Sequence, residues 1–124
     1  MAKANQKGRN KATFIMLRHD MIDSAAYKSL SLAARAVYIE ILRRYNSFNN
    51  GDIPLSCREA QDLCGISKTT AARAFDMLKN RGFIKIGSDS AFNMKTRQSR
   101  RWIITHEKLK QAPPSNEWRK WTPE

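Results

Sequence analysis

Apolar and polar positions change rhythm several times between Phe14 and Thr105, and each change marks an element. Phe14 to Leu17 is a short apolar run that reads as extended chain, and a short helix is predicted from His19 to Leu30. Ser31 then stands as the N-cap of a helix from Leu32 to about Tyr45. That helix is apolar on nearly every side, interrupted only by Arg35, Glu40, Arg43 and Arg44. A helix with so little polar face belongs at the centre of a core or against a partner subunit. Arg43 and Arg44 suit the negative end of its dipole.

Asn49-Asn50-Gly51-Asp52 is a turn, because Asn and Gly tolerate positive φ. Ile53-Pro54-Leu55 reads as a short edge strand, where a missing proline N–H does least harm. Ser56 with Glu59 three residues on forms a capping box for a helix from Cys57 to Cys64, which Gly65 ends. Ser67 caps the next helix, Lys68 to about Arg81, with Gly82 as its stop. Two capped helices across a three-residue, glycine-containing turn have the spacing of a helix-turn-helix. At 100° per residue the second helix gathers Ala71, Ala74, Phe75 and Leu78 on one face and Thr69, Arg73, Asp76 and Asn80 on the other. The small residues Ala71 and Ala74 let the preceding helix approach closely.

Phe83 to Ile86 and Arg101 to Thr105 are strands by composition, and the basic, glycine-containing segment 87–100 between them reads as a hairpin wing. The expected fold class is therefore mainly α with a small β-hairpin wing, in the order of a winged helix-turn-helix. Residues 1–13 are basic and without period, and are expected to be a disordered arm; residues 14–105 form the domain. Residues 106–124 are expected to be an extended tail, from which Trp118 and Trp121 fold back on the core or meet a partner.

Charge changes the picture. The chain carries 23 Lys+Arg against 11 Asp+Glu, a formal +12, and it is unevenly spread. Residues 1–18 carry +5, residues 19–67 carry −1, residues 68–101 carry +7 and residues 102–124 carry +1. A near-neutral middle between two cationic blocks is the electrostatic footprint of a polyanion binder. No apolar run approaches a membrane span and the first residues lack a signal-peptide core. A soluble, cytoplasmic and nucleoid-associated protein is expected.

Catalytic chemistry finds little to work with. Cys57 and Cys64 lie seven apart, wider than metal-ligand pairs, and only His19 and His106 are available to complete a site. They read as reduced, partly buried thiols. There is no phosphate-cradling glycine loop, no nucleophile with its base and no paired carboxylates, so no enzyme, metal or cofactor is expected.

A resemblance attaches to particular residues. Leu30-Ser31-Leu32-Ala33-Ala34-Arg35, Tyr38, Leu42, Asn49-Asn50-Gly51, Ile53-Pro54-Leu55-Ser56 and Gly65-Ile66-Ser67-Lys68-Thr69-Thr70-Ala71 are similar to bacterial winged helix-turn-helix proteins. They resemble the DNA-binding domains of phage and plasmid replication initiators, including the phage replication protein O type, and small regulators of mobile elements. The likeness spans about residues 14–105. One departure is Gln61 where such motifs carry Ala, with Ala60 beside it.

In this reading the partner is double-stranded DNA. The first residues of helix 68–81 enter the major groove. Arg73 is the candidate for bidentate contact with guanine, and Thr69 for a base or thymine methyl. Ser67 offers its backbone N–H to a phosphate, Lys68 lies near the backbone, and Thr70 contacts DNA or packs. Lys95, Arg97, Arg100 and Arg101 follow phosphates, or one enters the minor groove. The expected role is a sequence-specific transcriptional regulator, with a replication or mobile-element accessory factor as the nearest variant and a protein–protein adaptor as the second. RNA binding ranks lower, because only Phe92 in the wing offers a stacking aromatic. A homodimer is expected to use helix 32–45 or the Trp118/Trp121 tail.

Overall fold

Four of the five helices start at a serine whose hydroxyl oxygen accepts the backbone N–H three residues on, in a computed structural model that describes residues 12–87 and 101–123. Ser24, Ser31, Ser56 and Ser67 cap α2 (Ala25–Lys28), α3 (Leu32–Arg44), α4 (Cys57–Cys64) and α5 (Lys68–Asn80) in this way. The one helix without such a cap is α1 (His19–Ile22). The single helix expected over His19–Leu30 is thus two short ones. The cause is Ser24, whose backbone is extended and whose hydroxyl takes the Tyr27 N–H, starting a new helix where the old one would have continued.

The fold is mixed α/β: these five helices and a three-stranded antiparallel sheet. Strands β1 (Ile53–Pro54), β2 (Ile84–Ile86) and β3 (Arg101–Ile104) lie in the order β1-β3-β2. Ile53 pairs with Trp102, and Ile84 with Ile104. The expected hairpin therefore gains a third strand, since β1 bonds to the side of β3 away from β2. Pro54 sits on the outer edge, where its missing N–H leaves no ladder bond unmade. Residues 88–100, which join β2 to β3 and include Lys95, Arg97 and Arg100, lie outside the described residues, as does most of the 1–13 arm.

Helix α3 runs through the centre, packed on α5, α4 and β1, with Ala34, Val37, Tyr38, Ile41 and Leu42 buried. Phe83 is the hub of the aromatic core. Tyr27 meets it edge-on, Tyr38 tilts against it at 5.3 Å, and Trp118 lies parallel to it at 6.3 Å. Trp118 arrives there on a 3₁₀ turn, Glu117–Lys120, within the segment expected to be extended. One tail tryptophan has thus folded back fully, at 3 % exposure, while Trp121 is half-buried beneath the Arg81 guanidinium. Among the described residues no helix is long and apolar enough to cross a membrane.

Candidate nucleic-acid interface

The geometry of α4 and α5 follows from their ends. At Ser56 the capping box is complete: its hydroxyl accepts from Glu59 N, and its own N–H donates to the Glu59 carboxylate at 3.0 Å. That backbone bond, with help from Arg44 at 3.1 Å, holds the Glu59 carboxyl below its usual range. Gly65 closes α4 with φ +67, and its N–H returns to Gln61 O. Ala60, not Gln61, is the residue α4 buries, so the alanine beside the departure fills the inward position. Ser67 then opens α5, its hydroxyl accepting from Thr70 N and donating to Thr70 Oγ1 at 2.9 Å.

Helix α5 divides as its periodicity predicts. Ala71, Ala74, Phe75 and Leu78 are buried; Lys68, Thr69, Ala72, Arg73, Asp76 and Asn80 are exposed. Thr70 is half-buried and belongs to the cap. The helix is locked to the sheet by Phe75 stacked on Trp102, with centroids 4.9 Å apart and planes 7° apart. Trp102 in turn donates its indole N–H to Leu55 O at 2.9 Å. Neither contact is visible in the sequence, because Phe75 and Trp102 are far apart in the chain. Beside the stack a cleft of about 340 Å³ opens between Cys57 of α4 and Ala72 and Asp76 of α5.

The cations of this half of the molecule fall into two groups. Lys79 pairs with Asp76, Lys85 with Glu117 at 2.9 Å, and Arg81 bonds Ser29 and covers Trp121. Arg35 bonds the Tyr27 and Lys28 carbonyls at the end of α2, and Arg44 bonds Glu59 and Pro54 O. Those charges are already engaged within the chain. Lys68 and Arg73 are exposed and engage no partner among the described residues. The same is true of Arg58, one residue beyond the cleft-lining Cys57; the sequence reading passed over it, and its signal was its place in the first turn of α4. Arg101 opens β3 opposite Pro54.

No protein-family model, curated protein or solved structure matches the chain. The site's chemistry therefore stands on its own geometry. Among the described residues no three His, Cys, Asp or Glu side chains group closely enough to hold a metal ion. Cys57 and Cys64 are free and half-buried, and burial pushes the Cys64 thiol up.

Proposed function

We propose that this chain is a sequence-specific, double-stranded DNA-binding protein of the winged helix-turn-helix type, acting as a transcriptional regulator. The observation that carries the reading is the division of cations: the outward face of α5 keeps Lys68 and Arg73 unpaired among the described residues, while the neighbouring Lys79 and Lys85 are paired with Asp76 and Glu117. An exposed helix with free cations in its first two turns is the shape a major groove accepts.

In this reading α5 lies in the major groove. Arg73 donates two N–H groups to guanine O6 and N7, worth roughly 1–3 kcal/mol of discrimination. Thr69 faces a base edge or a thymine methyl. The Ser67 and Lys68 end of α5 meets a phosphate, where free N–H groups and the helix dipole favour negative charge. The segment 87–100 acts as a wing, with Lys95, Arg97 and Arg100, and Arg101 at its exit, tracking the backbone or a narrow minor groove. If six to eight cations meet phosphates, the log–log salt slope is about −5 to −7. A replication or mobile-element accessory factor uses the same face, and the resemblance to initiator domains keeps it as the nearest variant.

The test is selection of bound duplexes from a random library at about 0.15 M salt, followed by sequencing. An enriched motif is the expected result. Binding without a motif reduces the function to phosphate contacts alone. Absence of salt-dependent binding sinks the DNA reading and leaves a protein–protein adaptor.

A further inference from the structure

Three large apolar side chains stand in solvent on neighbouring stretches of surface: Phe14 is 82 % exposed, Met16 71 % and Phe48 93 %. At roughly 200 Å² each they present about 500 Å² of apolar area, at the upper end of what a monomer leaves open without a binding purpose. They form a relief with two parts. A depression of about 200 Å³ is lined by Phe14, Met16, Leu42, Tyr45, Ser47 and His106. Beside it, directly after Ser47, Phe48 projects as a knob on the rim of the next depression.

The knob is held out by design of its loop. Asn46 N–H donates to Asn49 Oδ1, Phe48 N–H to Asn46 Oδ1 and Asn49 Nδ2 to Arg44 O, each at 2.9 Å. Ser47 sits at φ +77, a conformation that costs a non-glycine residue about 1 kcal/mol or more. A strained, pinned loop holds a phenyl ring that the described residues leave almost naked. Pre-organisation of that kind lowers the entropy lost on docking.

We propose that this face is a self-association surface, on which a second copy docks about a two-fold axis with each Phe48 inserted into the other copy's depression. Knob and hole side by side on one surface are what an isologous contact requires, because each then meets the other's complement. Charge favours the same occupant. The flanking Arg18 shares Asp20, at 2.9 Å, with Arg119, and Arg43 pairs with Glu40 at 3.1 Å. Lys108 and Lys110 line the depression that Phe48 rims and Glu107 lines the other one, so charges of opposite sign meet when the knob of one copy enters the hole of the next. The three side chains alone supply much of the roughly 800 Å² per partner that a stable interface buries. Of the two surfaces that the sequence pointed to for a dimer, the tail has sunk Trp118 into its own core with Trp121 half-buried, and α3 buries Val37, Tyr38 and Ile41 while leaving Leu32 exposed at its start.

The proposal does not rest on the DNA reading, and its test contains no DNA. Sedimentation equilibrium of the nuclease-treated full chain at about 0.5 M salt, loaded from about 5 to 500 μM, should show the mass rising from 14.3 kDa toward twice that value. Phe48→Ser should weaken association at least about 30-fold, since a two-fold contact loses the ring twice. At concentrations where wild type is monomeric its thermal unfolding should be unchanged, because Phe48 is almost fully in solvent in the single copy. A wild-type mass of 14.3 kDa throughout, or a Phe48→Ser variant that associates as tightly as wild type, overturns the proposal.

Discussion

Arg73 and Arg81 lie on one short stretch of chain and are alike in the sequence, yet they have opposite employment. Arg81 is pinned between Ser29 and Trp121, whereas Arg73 is exposed and engages no hydrogen-bond, ion-pair or ring partner among the described residues. Arg73→Ala should therefore erase preference at one base pair of the selected site and leave non-specific affinity within about tenfold; the selection repeated with the variant checks it. Lys68→Ala should instead weaken all duplexes alike and flatten the salt slope by about one unit. A second residue-scale effect concerns His106. Its Nδ1 is 2.9 Å from the Tyr38 hydroxyl and Nε2 is 3.6 Å from the Glu107 carboxylate. Burial, aided by the Arg18 charge, pushes its pKa down to about 4 although Glu107 pulls the other way. A depressed histidine binds fewer protons folded than unfolded, so its stabilisation is complete above about pH 6.5 and is lost as pH falls toward 4. The loss is about 3 kcal/mol. Urea unfolding at pH 7 and pH 4.5 should show that slope in wild type and not in His106→Gln.

At the scale of elements, the ends of helices decide where α4 and α5 lie. Gly65 and Gly82 both have positive φ, but their surroundings differ. A Cβ on Gly65 meets nothing within 4 Å, so Gly65→Ala carries only the left-handed backbone cost of about 1 kcal/mol. A Cβ on Gly82 comes within 2.7 Å of the Glu117 carbonyl carbon and 2.8 Å of Trp118 N, both backbone. Gly82→Ala should therefore cost more than about 3 kcal/mol and displace the 3₁₀ turn. Denaturant midpoints of the two variants, with tryptophan fluorescence as the probe, separate the two cases.

For the whole molecule, the C-terminal segment is part of the structure that holds α5 in place. Thr105, 1 % exposed, donates its hydroxyl to Gly82 O at 2.6 Å. Asn116 N–H reaches back to Thr105 O, and Trp118 covers Phe83, the hub on which α2 and α3 also close. Trp118→Ala should lower stability by about 3–5 kcal/mol, the cost of emptying a large aromatic site. Because α5 and its exposed face stay formed whenever the chain is folded, DNA affinity measured well below the melting temperature should change far less than stability does. Calorimetry and a binding titration on the same sample check both halves.

Much of the local structure was legible from residue type alone. Serine caps, the capping box of Ser56 and Glu59, the glycine stop at Gly65 and the inward face of α5 depend on neighbours within four residues, and the sequence holds all of those neighbours. The break at Ser24 is written in the same language, since its hydroxyl accepts from Tyr27 N three residues on. The candidate face of α5 was likewise readable, since helical periodicity puts Thr69 and Arg73 opposite Ala71 and Phe75. Long-range pairing was not. Which strand joins β3, that Phe75 stacks on Trp102, that Trp118 covers Phe83, and which arginines are consumed by carboxylates, carbonyls and rings are matters of tertiary packing. Such contacts depend on the distance between residues tens of positions apart, which no local preference encodes and only the closed fold sets. Charge and periodicity by themselves determined that this chain offers a cationic helix; the folded core decided which of its cations are left to offer.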